Sequence, residues 1–553
     1  VTQLNAALTR NINLDEYQFV ANGWDVFRGL RPYRDFWDNH GPAANYFYAI
    51  PFLCWPAVHD VLIVLRLVSF CLTLATAVCT GWMARQAFPA LRNAGKIAMA
   101  LLLASPMFLD KALEIRGDVV VTWLWTMGLA LMFLAFRSRG LALFFFAGIA
   151  LGATLWFTPK GLFIVGGGLL ILVVDGFMRK PHRWHGVLLT TAGVALAVLA
   201  MVLWLHATDL WAPFVQLCLV ESVGRSRTLS ISPFTGAIEE HPFWMGATLL
   251  GIGIGSWFFL RRKPLSRGEL WLWPVAALLL IYYFVILPTR HRQSLLPLHP
   301  VVAAMCVGLV WRFGRTRASL CVARWLPRRN TWPIILGALL AWQLYQLRST
   351  GREAQPEKAF TAQIAYANRL ATAVPPEEMV LTGEGPPLFR PAPLHAHVLV
   401  NYLRERYAQG AAGWDIPAAL IAQSVRFVAI DPRLRTLPPR ELHFFRDNYL
   451  PVKGTAIGKK RVLLAAGKLL TATETKTTFT IAIPRHYWVF RADNSSGPLA
   501  IDGEPTTCCR YLASGAHVLE TADVGSTIVL SSLRPERLDW QAIAEGGPAA
   551  LRE

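Results

Sequence analysis

Apolar runs long enough to cross about 30 Å of hydrocarbon, roughly 17–25 residues as helix, recur through the first two thirds of this chain. They fall near 60–83, 97–109, 119–136, 141–157, 161–178, 188–206, 243–260, 270–287, 297–311 and 332–347. That makes ten expected spans, all before residue 348. The second is short, so it is expected to be tilted, extended into an interface or broken. Residues 43–57 (AANYFYAIPFLCWPA) are amphipathic and interrupted by aromatics and two prolines, which suits a helix lying in the interface. After Arg348 the pattern changes. Helical periodicity over 356–374 and 415–423 alternates with strand-like 378–382 and 425–431, as in a small α/β layer. From about 471 strict alternation takes over, in TFTIAIP (478–484), YWVF (487–490) and STIVLSS (526–532). The expected organisation is an α-helical polytopic membrane domain over 1–347, an external α/β domain over 348–470 and a small external β-domain over 471–553.

Composition agrees. The 553 residues are 54% hydrophobic and only 16% charged, with 21 Trp and 30 Phe. Soluble domains carry about 25% charged residues, so a disordered chain, a collagen, a coiled coil and an ordinary cytosolic enzyme are excluded. The net charge of +19 could point to nucleic acid, but its distribution does not. The loops 84–96, 137–140, 179–187, 261–269 and 312–331 hold 3, 2, 3, 4 and 6 lysines and arginines against one acid, Glu269. The opposite loops carry Asp15, Glu16, Asp25, Asp35, Asp38, Asp110, Glu114, Asp118, Asp209, Glu221, Glu239 and Glu240. The basic loops are cytoplasmic by the positive-inside rule, which puts both the N-terminal segment and the tail outside. An external start at Val1 implies a helix upstream of it, or translocation of residues 1–40 unaided. Partners are then membrane lipids and no nucleic acid.

The chemistry gathers in the outer loops. In NINLDEYQFVANGWDVFRGLRPYRDFWDNHGP (11–42), Asn13 and Glu16 have capping-box spacing, so a helix is expected from Leu14 to Arg28 with its stop at Gly29. Asp15 and Glu16 sit in its first turn, where favourable interaction with the helix dipole is the plain reading. The same loop packs Asp35, Asp38 and His40 among aromatics against a membrane, where carboxylates are costly and usually functional. The short loop DKALEIRGD (110–118) adds Glu114, Arg116 and Asp118. Carboxylates interleaved with Arg can hold a general base, orient an acceptor or bind a cation, or form an ion-paired rim. Arg66, inside a span, either snorkels outward, pairs with a loop acid or meets a lipid phosphate. Arg290, His291 and Arg292 in PTRHRQSLLPLHP suit a phosphate, or anchor headgroups. Lys160 in FTPKG fits either role. Cys508 and Cys509 are adjacent and make a poor disulfide framework. No metal-ligand spacing is present.

The order of an acidic pair, PYRDFWDNHGP, an aromatic interfacial helix, an Arg-containing span, a short R-x-D loop and a late loop ending in LLP-x-x-P resembles the GT-C glycosyltransferases. It is similar to those of protein O-mannosyltransferase and lipid A aminoarabinose transferase type, over roughly residues 10–347. The resemblance implies an inverting, one-step sugar transfer from a polyprenyl-phosphate donor on the outer face of a bacterial inner membrane, the tail being periplasmic or extracellular. It implies Asp15 as catalytic base with Glu16 beside it, Asp118 and Arg116 from the second loop, and Arg290, His291 and Arg292 facing the lipid phosphate. Ser294 departs from the family, where Tyr often precedes LLP. Asp15, Glu16 and Asp118 can hold a cation only if the fold brings them together, so no cofactor is assigned and a divalent cation stays open. The acceptor class — glycan, lipid or protein — is open as well. Two other classes compete: a transporter or flippase of a lipid-linked glycan, and a non-catalytic envelope glycan assembly protein. Ionisable residues in outer loops rather than at the midplane, and no inverted repeat, weigh against the transporter.

Overall fold

The computed structural model describes residues 2–55, 58–138, 140–179, 184–221, 267–283, 292–315, 360–383, 389–396, 398–455, 462–493, 497–506 and 509–544, with a few isolated positions besides. Contacts divide the chain into two compact units. One holds Val1–Arg34, Asp38–Pro56 and Asp60–Phe360, the other Asp35–Trp37, Ala57–His59 and Thr361–Glu553.

The first unit is helical. Its described elements are α1 (Thr2–Thr9), α2 (Leu14–Phe27), α3 (Pro42–Ala49) with a 3-10 turn (Ile50–Leu53), α4 (Val58–Ala87), α5 (Ala94–Leu103), α6 (Pro106–Ala112), α7 (Gly117–Ser138), α8 (Leu141–Phe157), α9 (Gly161–Arg179), α10 (Trp184–Ala207), α11 (Trp211–Phe214) running into a π-helix (Val215–Val220), α12 (Arg267–Ile281) and α13 (Leu298–Arg315). The expected spans at 243–260 and 332–347 lie outside the described residues. The other eight fall on α4, α5 with α6, α7, α8, α9, α10, α12 and α13. Among the described residues three stretches, Asp60–Ala87, Gly117–Ser138 and Trp184–Ala207, are long and apolar enough to cross a membrane, and α5, α8, α9, α12 and α13 carry shorter apolar stretches. The described helices therefore do not fix the number of spans at ten. The second expected span is broken. Pro106, which has no N–H to continue α5, opens α6, and the Ser105 hydroxyl caps it by accepting from Phe108 N at 3.3 Å.

Surface chemistry fits a lipid surround. α10 leaves Leu188, Leu196, Leu199 and Leu203 exposed, a row that is costly in water and neutral against acyl chains. Without a hydrophobic drive between helices, close approach comes from small residues. A Cβ on Gly148 of α8 would stand 2.1 Å from the Thr190 carbonyl oxygen of α10, and one on Gly193 of α10 would stand 2.2 Å from that of Phe145. On α7, Trp125 is fully buried and its indole N–H donates to Pro297 O at 3.0 Å, tying that helix to the turn before α13.

The second unit contains α14 (Phe360–Ala373), β1 (Val380–Leu381), α15 (Asn401–Ala408), α16 (Ile416–Ala422), β2 (Phe427–Ile430), α17 (Pro439–Asn448), β3 (Tyr449–Pro451), β4 (Val462–Thr471), β5 (Lys476–Ile481), β6 (Arg485–Arg491), β7 (Leu499–Ile501), β8 (Glu504–Pro505), β9 (Cys509–Leu512), β10 (Gly515–Thr521), β11 (Thr527–Ser531) and α18 (Trp540–Ala544). The helix and strand periods of the sequence reappear in α14, α16, β1, β2, β5, β6 and β11. The expected boundary at 470 falls inside β4. The first half of β4 pairs antiparallel with β2 and β3, and its second half with β11, in one seven-stranded sheet of order β1-β2-β4-β11-β6-β9 with β3 beside β4. One core serves both sides of that boundary, with Leu370, Phe427 and Leu463 packed in the same cluster as Val529 and Leu538. A four-stranded sheet β5-β10-β7-β8 completes the unit. Cys509 is exposed, and Cys508 lies outside the described residues.

Backbone contact between α8 and α10 sets a test. Gly148→Val or Gly193→Val should lower stability by about 1–3 kcal/mol through overpacking, read as an earlier thermal transition of the purified protein in detergent. Gly166→Ala on α9, where nothing lies within 4 Å of the added methyl, should leave the transition unmoved or raise it.

Candidate functional site

The acidic helix forms as its sequence dictates. Asn13 caps α2 through a complete capping box: its side chain accepts from Asp15 N, and Glu16 Oε1 accepts from Asn13 N at 2.8 Å. Gly29, at φ +89°, follows the last turn in the left-handed conformation that only glycine adopts cheaply. The two neighbouring acids then diverge. Glu16 is fully buried, with Arg66 Nη2 donating to Oε1 at 2.7 Å and Ile115 N donating to Oε2 at 2.8 Å. Arg66 is equally buried and also donates to the carbonyls of Ala7 at 3.1 Å and Asn11 at 3.0 Å. Burial pushes the Glu16 carboxyl upward and Glu114 adds to the push, while Arg66 and the two backbone donors pull it down. Neither side chain has an atom open to a ligand. Their hydrogen bonds join α1, α2, α4 and the 110–118 loop.

Asp15 turns the other way and is 37% exposed. Arg116 Nη1 donates to Asp15 Oδ2 at 2.9 Å and to the buried Glu114 Oε2 at 3.1 Å, and Arg116 Nε lies 3.6 Å from Asp118 Oδ2. Burial alone would lower the Arg116 guanidinium, but Asp15, Glu114 and Asp118 raise it above its ordinary value. Glu114 is the hub that the sequence reading left out of the site. It also accepts from Lys111 Nζ at 2.7 Å, Asn13 Nδ2 at 3.2 Å and Arg10 Nη2 at 3.3 Å. Its signal was the i, i+2, i+4 spacing of Glu114, Arg116 and Asp118. Three carboxylates thus converge on Arg116 rather than on a space for an ion. No group of three or more metal-ligating side chains occurs among the described residues.

A second polar group surrounds the DNHGP turn. Asp38 is fully buried, and its oxygens accept from His40 Nδ1 at 2.7 Å, Asn45 Nδ2 at 2.7 Å and Asn39 N at 2.8 Å. Burial pushes the Asp38 carboxyl upward, but His40, Asn45 and Asn39 together hold it below the ordinary carboxylate range. Asn22 of α2 donates to Asn45 Oδ1 at 3.0 Å. The His40 carbonyl accepts from Tyr33 Oη at 2.7 Å and from Cys218 Sγ, in the π-helix, at 3.2 Å. The His40 ring packs on Phe19 with centroids 4.6 Å apart. Phe19 lies one turn beyond Asp15 on α2, so the two groups share a helix face. Gly41 N donates to Phe157 O at 3.0 Å, which seats this turn on the end of α8, three residues before Lys160. The Lys160 ammonium has no hydrogen-bond or ion-pair partner among the described residues. Asp35 falls in the 35–37 segment, which groups with the second unit. Arg290, His291 and the Arg292 side chain lie outside the described residues.

No family model and no curated protein matches the chain. Among solved structures it is similar to ArnT from Cupriavidus metallidurans in the apo state, with a TM-score of 0.55 at 14% identity over 84% of this chain and 96% of that one. The same protein bound to undecaprenyl phosphate gives 0.52 at 14% identity over the same shares. The apo oligosaccharyltransferase of Archaeoglobus fulgidus gives 0.48 at 12% identity over 84% and 72%. The ArnT likeness shows the fold: this chain folds as that protein does.

Two outcomes follow from the geometry. Glu16→Gln and Arg66→Met should each cost about 3–5 kcal/mol, because each strands a buried partner. The double variant should recover part of the loss, as a non-additive pair does, in the thermal transition of the detergent-solubilised protein. Asp25, on the last turn of α2, is pushed by burial up to about 7 against the pull of Arg28. A raised carboxyl favours the folded state below its unfolded value, near 3.9, and that stability is lost as pH rises through about 7. Stability measured between pH 5 and 8 should fall with pH in the native chain and flatten in Asp25→Asn.

Proposed function

We propose that this protein is an integral-membrane inverting glycosyltransferase that moves a sugar from a polyprenyl-phosphate donor to a hydroxyl acceptor on the outer face of a bacterial inner membrane. The observation that carries the reading is Asp15: a carboxylate held by a buried Arg116, open to its surroundings, on the first loop helix of a GT-C fold. Support for the donor comes from the neighbour of like fold, which was solved with undecaprenyl phosphate. Orientation rests on the basic loops set against the acidic ones.

In this mechanism Asp15 takes the proton of the acceptor hydroxyl as its oxygen bonds to the anomeric carbon. The carbon–oxygen bond to phosphate breaks on the opposite face, so the configuration inverts and polyprenyl phosphate leaves. The ion pair with Arg116 fixes one Asp15 oxygen in place, at the exposed end of the cluster. Asp118, at the other edge of Arg116, completes the anionic side. Charge building on the departing phosphate calls for cations and hydrogen-bond donors, a role that falls to Arg290, His291 and Arg292, with Lys160 beside them. The β-rich tail lies on the same side and handles the acceptor.

Asp15→Asn tests the assignment. Sugar transfer from a polyprenyl-phosphate donor should fall by about 10²–10⁴-fold, while membrane expression and the thermal transition persist, since the side chain is partly exposed. Full transfer activity in that variant would sink the assignment of the base. Movement of a lipid-linked glycan across vesicles without a new glycosidic bond would favour a transporter.

A further inference from the structure

The second unit carries a groove that the transferase reading does not use. It has a volume of about 420 Å³, opens to solvent, and is lined by Asn368, Arg369, Thr372 and Ala373 of α14, by Lys453, Gly454 and Thr455 after β3, and by Arg537. Three of these residues are cationic and none is a carboxylate. The volume suits a small ligand of one or two sugar rings, within the roughly 300–1,000 Å³ of ordinary binding pockets.

The cations are brought together by the backbone. Val452 and Leu538 form an antiparallel bridge, and Lys453 N donates to Arg537 O at 2.9 Å. Lys453 and Arg537 therefore stand directly opposite each other across the pair. Like charges in that position repel each other. Arg369 approaches from the last turns of α14. Arg537 Nη2 donates to the Ala373 carbonyl at 2.9 Å, which fixes that guanidinium at the groove wall. The Arg369 guanidinium and the Lys453 ammonium have no hydrogen-bond or ion-pair partner among the described residues. Gly454, at φ +72°, turns the chain tightly enough to leave the groove floor bare.

We infer that this groove binds an oxyanion, phosphate or carboxylate, carried on a saccharide. Arginine gives such a group paired planar donors and lysine a mobile point charge. Asn368 supplies an amide suited to sugar hydroxyls. The inference stands apart from the transferase reading, because binding is measured without turnover.

The test uses the full-length protein in detergent and in nanodiscs. Binding of glucose 1-phosphate, galacturonate, inorganic phosphate and glucose is measured by titration calorimetry, for the native chain and for Arg369→Gln/Lys453→Gln, whose side chains make no hydrogen bond or ion pair among the described residues. Glucose 1-phosphate and galacturonate should bind, glucose should not, and salt should weaken the binding. The double variant should lose about tenfold or more in affinity, the scale of one or two charge-assisted hydrogen bonds. Equal binding by native and variant chains, or no binding of any anion, would overturn the proposal. Nanodiscs separate the sources of the oxyanion. Competition by phosphatidylglycerol, but not phosphatidylcholine, would assign the groove to a lipid headgroup. Binding that is indifferent to lipid would assign it to a soluble or polymer-linked glycan. Asp15→Asn should bind as the native chain does, so failure of the catalytic assignment leaves this result standing.

Discussion

The ion pair between Glu16 and Arg66 is the constraint on which the first unit depends. Arg66 stands near one end of a long apolar helix, fully buried, where a lone guanidinium would cost several kcal/mol. It is tolerated because one carboxylate and two main-chain carbonyls surround it, and because that carboxylate is itself held by two backbone N–H groups. These donors and acceptors come from α1, the connection that follows it, α2 and the 110–118 loop. Charge satisfaction and loop geometry are therefore one problem with one solution, and the position of Asp15 follows from it: the residue after the capping turn faces outward only because its neighbour is locked inward.

Around that lock the charges are shared. Arg116 divides its donors between Asp15 and Glu114, with Asp118 at its other edge, while Glu114 draws in Arg10, Lys111 and Asn13. Such a lattice resists rearrangement, since moving one member uncovers another in a low-dielectric surround. It also explains the lack of a cluster of metal-ligating side chains among the described residues: arginine occupies the centre where an ion would sit. The DNHGP turn is built the same way, from amides of α2 and α3 on a buried aspartate, and meets the first group through Phe19.

Much of this was legible in the chain before its structure. The capping box and Gly29 set the limits of α2 to within a residue, because both signals act through local backbone geometry. The short second span left a break open as one of three readings, and Pro106, which makes that break, was not singled out. The split between Asp15 and Glu16 was not legible, since adjacent residues on a helix differ by about 100° and only tertiary packing says which faces inward. Glu114 was visible as a member of the loop cluster, but its part as a hub was not, because two of its partners, Arg10 and Asn13, lie about a hundred residues away. The boundary expected at 470 was drawn from a change of period, from mixed helix and strand to pure alternation, and it lies within β4. That change tracks local pattern and carries no information about which strands pair.

The continuity of β4 has a consequence for how the tail comes into being. Its first half finds partners in β2 and β3, which precede it. Its second half waits for β11, more than fifty residues later, and the Val452 bridge waits for Leu538. Non-local pairings of this kind are slow to close. During synthesis the second half of β4 therefore stays unpaired until β11 has emerged. A chain halted between those two strands leaves an open, sticky edge rather than a finished smaller domain.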